Sequence, residues 1–135
     1  MTTPDINIDE LAARRDVQGL IKALKSKDNT TRYGAASAIS KLGPDAAEAM
    51  PALIELLKHW DTMTRVAAAG AIGNIGINSR ETAMPAVPAL QEALKDPDSI
   101  VRRVVGTALE DIDPDLWVGW DEDDDPDSEI YKDVL

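Results

Sequence analysis

Cysteine is missing from this chain of 135 residues. Disulfides, thiolate metal sites and cysteine nucleophiles are thereby excluded, and the absence suits a reducing compartment. Phenylalanine is missing as well, and aromatics make up 4% of the sequence. The core must come from aliphatic and small side chains, chiefly alanine, so its elements approach closely. Histidine occurs once, as His59. No nucleophile sits beside a base, no glycine-rich phosphate loop is present and no cluster has metal-ligand spacing, so the sequence argues against an enzyme. No run approaches the roughly 18 apolar residues of a membrane span. The N-terminal stretch Met1–Arg15 lacks an apolar run of signal-peptide length. The expectation is a soluble cytoplasmic protein needing no cofactor or metal.

Positive charge is scarce in one region only. Residues 1–109 hold 13 acidic and 13 basic residues, whereas residues 110–135 hold 12 acids and one base, Lys132. The formal net charge of −11 therefore belongs to the C-terminal end. A neutral body with a polyanionic end lacks the cationic patch that phosphate binding requires, and an anionic membrane repels it. Nucleic acid and membrane are set aside, and another protein is the expected partner.

What is present is one pattern written three times. It begins Leu20-Ile21-Lys22-Ala23-Leu24-Lys25, returns as Leu53-Ile54-Glu55-Leu56-Leu57-Lys58 and again as Leu90-Gln91-Glu92-Ala93-Leu94-Lys95. Each copy continues through an aspartate (Asp28, Asp61, Asp98) and an arginine (Arg32, Arg65, Arg102) to an aliphatic residue (Leu42, Ile75, Ile112). The landmarks shift by 33 residues from the first copy to the second and by 37 from the second to the third. Self-similarity at this period marks a stack of helical repeats, each too small to bury its apolar face alone.

Apolar spacing of i, i+3, i+4 and i+7 predicts a first, A-type helix over about 17–25, and each Asp-rich turn predicts the N-terminus of a second, B-type helix. The first B helix should stop at Gly43-Pro44, the second at Ile75 with Gly76 as terminator, and the third should run from Ser99 to Ile112. Pro51 either starts the second A helix or kinks a longer one beginning near Asp45. The expected core stripe is Ala36/Ile39/Leu42, Ala69/Ile72/Ile75 and Gly106/Leu109/Ile112. A short helix over about 9–15 would cap the N-terminal end with Leu11 and Ala12.

The apolar A helix, Asp-rich turn, B-helix arginine and Ala-Ala…Ile…Gly ending resemble HEAT repeats, particularly the short type of phycobilin lyase subunits. The third copy departs, with Val105-Gly106 for Ala-Ala and Asp113 for Gly. The resemblance covers about residues 17–113. It implies an all-α solenoid of three antiparallel helix pairs with B helices on the concave side, and a binding role such as adaptor, assembly factor or regulatory subunit. The corresponding division is a repeat domain over 1–113, with repeats at about 17–43, 45–76 and 80–113, and an acidic, aromatic-bearing tail over 114–135. The alternative it leaves is a subunit of a chromophore-handling, lyase-like enzyme.

Candidate partner-binding residues follow from the faces of the B helices. Opposite the core stripe, the second B helix presents Val66, Ala67, Gly70, Gly73 and Asn74, flanked by Tyr33 and Ser37 on the first and Arg103 on the third. Two helix glycines cost roughly 1 kcal/mol each against alanine, so something must approach closely there. That something is either a partner or a neighbouring helix of the same chain. The Asp/Arg pairs at i, i+4 are expected to be scaffold, serving as caps and ion pairs between repeats. His59 is expected to favour a partial positive charge at a helix C-terminus. In the tail, Trp117 and Trp120 either cap the last repeat or anchor it on a partner. Asp121, Asp123, Asp125, Asp127 and Glu129 fall in an EF-hand register, but Pro126 and Lys132 occupy positions that need Gly and Glu, so no calcium loop is expected. The N-terminal 41 residues hold 7 basic and 5 acidic residues, which leaves head-to-tail self-association open.

Overall fold

The computed structural model describes residues 7–115, and every regular element among them is helical. A short helix α1 (Ile8–Ala13) leads into α2 (Val17–Leu24) and α3 (Asn29–Leu42). Next come α4 (Met50–Leu56) and α5 (Thr62–Asn78), then the single turn α6 (Arg80–Ala83), then α7 (Val87–Ala93) and α8 (Ser99–Ile112). The pairs α2/α3, α4/α5 and α7/α8 are the three repeats, and α5 lies in the middle against both α3 and α8. The fold is the expected all-α solenoid of stacked helix pairs.

Local chemistry sets the boundaries. Asp28, Asp61 and Asp98 each accept a hydrogen bond from a backbone N–H two or three residues on, capping α3, α5 and α8. Gly43 ends α3 at φ +61°, a left-handed conformation that glycine adopts without a Cβ penalty. The Pro51 alternatives are both realised in part. A 3-10 stretch over Gly43–Ala49, bent at Ala46, runs directly into α4 with Pro51 in its first turn. The second B helix departs from expectation, because α5 passes through Gly76 and ends at Asn78. A Cβ on Gly76 would sit 2.6 Å from Ile112 Cγ1, so this glycine admits α8 rather than stopping α5.

The core follows the predicted stripe. Leu20, Leu24, Ile39, Leu53, Ile72, Ile75, Leu90 and Leu109 are all but fully buried, with alanines between them. Leu42 is the exception and is half-buried. Ile8, Leu11 and Ala12 of α1 pack against the first repeat as its cap. Ile8 lies 3.3 Å from where a Cβ of Gly34 would be, a contact that extends the expected pair Leu11 and Ala12.

Candidate functional site

Three arginines in register close the repeat turns, and the first two also tie one repeat to the next. In each, Nη1 donates to the carbonyl six residues upstream: Arg32 to Ser26 at 2.9 Å, Arg65 to His59 at 2.8 Å and Arg102 to Asp96 at 2.7 Å. That bond closes the turn of the arginine's own repeat. The first two also reach forward, while Nη2 of each donates as well to a side chain of its own repeat, Asn29 or Thr62. Arg32 Nε donates to Thr64 Oγ1 at 2.9 Å, and its guanidinium lies 3.6 Å from Asp61. Arg65 grips Asp96 with both Nε and Nη2, at 2.9 and 3.3 Å. These arginines therefore bridge to the next repeat, so the scaffold role holds with a different partner from the i+4 spacing.

Thr64 and Asp96 are the residues that sequence reasoning missed. The register explains them: Val101 stands where Thr64 would recur and cannot accept a hydrogen bond, while Asp96 stands where the earlier repeats have Ser26 and His59. All three side chains at that position accept from the N–H of the capping aspartate, Ser26 at 3.1, His59 at 3.0 and Asp96 at 2.9 Å. His59 does so through Nδ1, which must be unprotonated. Burial and the nearby Arg32 charge also push its pKa below the ordinary value. The expected partial cation is thus corrected to a neutral acceptor.

Tyr33 is corrected too. Rather than flanking an open groove, it is half-buried and donates its hydroxyl to Asp61. Asp61 also accepts from the Thr64 hydroxyl at 2.7 Å and the Thr64 N–H at 3.0 Å. The Tyr33 bond, then the Thr64 hydroxyl, hold the Asp61 carboxyl below the usual carboxylate range, and the same contact raises the Tyr33 phenol.

The two glycines of the α5 strip separate. Gly73 is buried, and a Cβ there would lie 3.0 Å from Ala108 Cα, so it serves the close approach of α8. Gly70 meets nothing: a Cβ there finds no atom within 4 Å. Around it Ser37, Asn74, Arg103 and Thr107 are exposed, and Val66, Ala67 and Val104 are half-buried. Between α5 and α8 the strip deepens into a cleft of about 140 Å³ lined by Gly70, Gly73, Val104, Thr107, Ala108 and Asp111. Burial, and secondarily Glu110, raise the Asp111 carboxyl pKa.

At the N-terminal ends of α5 and α8 the same surface turns apolar. Met63 and Ile100 occupy one register position in successive repeats and are 51% and 55% exposed. Trp60, in the turn before α5, is 77% exposed, its ring 6.0 Å from the Arg32 guanidinium carbon. A cleft of about 430 Å³ opens next to it between the turns of repeats two and three. On the A-helix side, a further groove of about 550 Å³ runs between α4 and α6, lined by Met50, Ile54 and Pro85 among others.

Trp117 and Trp120 lie outside the described residues, as does the acidic register Asp121–Glu129. Among the described residues no group of three or more His, Cys, Asp or Glu side chains is placed to hold a metal, and no helix is long and apolar enough to cross a membrane.

A family model described as HEAT repeats matches residues 17–110 and again 50–127. Among solved structures, the crystal structure of an engineered protein, a target of the Northeast Structural Genomics Consortium, is 28% identical, with a TM-score of 0.62. The alignment covers 78% of this chain and 48% of that one, so this chain spans about half its length. No curated protein matches the chain.

Proposed function

Because the chain belongs to the HEAT-repeat family, whose repeats generally mediate protein–protein interaction, we propose that it is a non-catalytic binding module, an adaptor or assembly factor, that holds a protein partner across α3, α5 and α8. The observation that carries this reading is Gly70. A glycine in a helix interior costs about 1 kcal/mol against alanine. Gly34, Gly73 and Gly76 each have a neighbour of the same chain that a Cβ would press, and Gly70 has none. Its lack of a side chain serves something outside the molecule.

The surface around it suits a helix or extended segment of a partner. Ser37, Gly70 and Thr107 give one small residue per repeat along the floor, while Met63 and Ile100 offer apolar anchors at one end and Asn74 a polar one at the other. Shape and apolar contact supply affinity, with Arg103 at the edge contributing orientation more than energy. The proposed role needs no catalytic residue.

The test is a comparison of Gly70→Ala and Gly70→Trp as baits in native extract. Both should fold, with unchanged helical circular dichroism. Wild type should retain a partner that Gly70→Ala holds several-fold more weakly and that Gly70→Trp loses by tenfold or more. Retention of that partner by folded Gly70→Trp at wild-type strength would sink the reading.

A further inference from the structure

One register position changes character from repeat to repeat. The shifts of 33 and 37 residues align Lys41 of α3 with Asn74 of α5 and Asp111 of α8, and they align Ser40 with Gly73. Across the first seam, between α3 and α5, the position is satisfied within the chain, because Asn74 Nδ2 donates to Ser40 Oγ at 2.5 Å. Across the second seam the same reach meets no side chain. Asp111 brings a carboxylate, and Gly73 stands where Ser40 stood. Asp111 Oδ2 lies 3.1 Å from where a Cβ of Gly73 would be. The carboxylate therefore lies over the glycine and borders the cleft of about 140 Å³ that Gly70 also lines.

The other polar groups nearby are turned elsewhere. Thr107, one turn back, donates its hydroxyl to the Arg103 carbonyl at 3.1 Å. Asn74 is turned to Ser40, and Arg80, which meets the end of α8, pairs with Asp113. Arg103 is eight residues back along α8, about 12 Å at the helical rise. Among the described residues the Asp111 side chain accepts no hydrogen bond and forms no ion pair. Its adjacent charge is another acid, the exposed Glu110. A half-buried carboxylate left in this state costs the fold free energy and gives it nothing in return.

We propose that Asp111 sets the specificity of the groove by receiving a basic side chain, lysine or arginine, from the partner segment that lies along Gly70. The proposal rests on the Gly70 surface being the binding face and adds the chemistry of its occupant. Charge complementarity selects that occupant. An ammonium or guanidinium donates charge-assisted bonds to a carboxylate, stronger than those of a neutral donor, and Glu110 adds to the attraction. The exposed Ile100 fixes the other end. It lies eleven residues before Asp111, about three turns and 16 Å, so the two share one face of α8. The fitting segment carries an apolar and a basic residue about five positions apart if extended, or about eleven if helical.

The test selects random displayed peptides on the full-length chain and keeps those whose binding Gly70→Trp abolishes. These should carry Lys or Arg at a fixed distance from an apolar residue. Asp111→Asn should bind them about fivefold more weakly or worse, and changing the basic residue to Gln should weaken binding to wild type but not further to Asp111→Asn. By NMR, the Asp111 carboxyl should titrate at lower pH in the complex than in the free chain, and an unchanged midpoint would overturn the proposal. Asp111→Asn should melt no lower than wild type, since it loses no internal bond; a clear drop would make the carboxylate an internal support and defeat the idea. Peptides that need Gly70 yet bind Asp111→Asn at full strength would also defeat it while leaving the groove intact. A library yielding no peptide that Gly70→Trp abolishes would remove the groove and the proposal together. A dimer of the chain alone that Asp111→Asn dissolves would give the cleft to a second copy instead of a partner.

Discussion

Gly70 and Gly73 stand three residues apart on one helix and should respond oppositely to the same change. Alanine at Gly70 meets open space and gains helix propensity, so it should stabilise by up to about 1 kcal/mol. Alanine at Gly73 drives a methyl against the backbone of Ala108 and should destabilise by about 1–3 kcal/mol, as overpacking does. Denaturant unfolding of the two variants separates these outcomes. His59 carries a pH prediction. Its folded pKa lies below the ordinary value of 6.5, so the neutral ring contributes stability that is fully present above 6.5 and is lost as pH falls through the folded value. His59→Ser, which installs the hydroxyl acceptor of the first repeat, should flatten that part of the curve. Melting temperatures between pH 7.5 and pH 5 check it; a wild-type slope surviving in the variant would refute the assignment. The opposite fates of the two glycines were not legible in the sequence. Their spacing marks both as points of close approach, but Ala108 lies 35 residues away, and only the stacking of α8 on α5 decides which one it touches.

At the scale of elements, the joint between repeats two and three rests on Arg65 and Asp96, whose side chains are 13% and 8% exposed. Removing one partner strands a buried charge, so Arg65→Ala should cost about 3–5 kcal/mol. Lysine at that position keeps the charge but not the two-nitrogen grip, and should recover only part of the loss. A double-mutant cycle with Asp96→Ala reads the coupling, and additive losses would show that the pair is not a joint. Much of this level was legible. The capping aspartates, the arginine period and the core stripe all recur at fixed offsets, and three concordant copies make each copy a check on the others. The legible part stopped where a repeat repairs a missing group by a different route. Val101 removes the hydroxyl that Thr64 offers, Asp96 supplies the replacement, and nothing in either residue alone announces the exchange. Met63 and Ile100 were overlooked for a related reason: an aliphatic side chain in a first helical turn reads as core until the neighbouring helices are placed.

Across the whole molecule, the forward reach of the arginines gives the stack a direction. Each of the first two repeats reaches forward with a guanidinium to an acid of its successor, Arg32 to Asp61 and Arg65 to Asp96. The two ends are therefore unequal under trimming. Removing α1 and the first repeat takes Tyr33 and Arg32 from Asp61 but leaves it the Thr64 hydroxyl and N–H, whereas removing the third repeat takes from Arg65 its one carboxylate and leaves it carbonyls and a hydroxyl of its own turn.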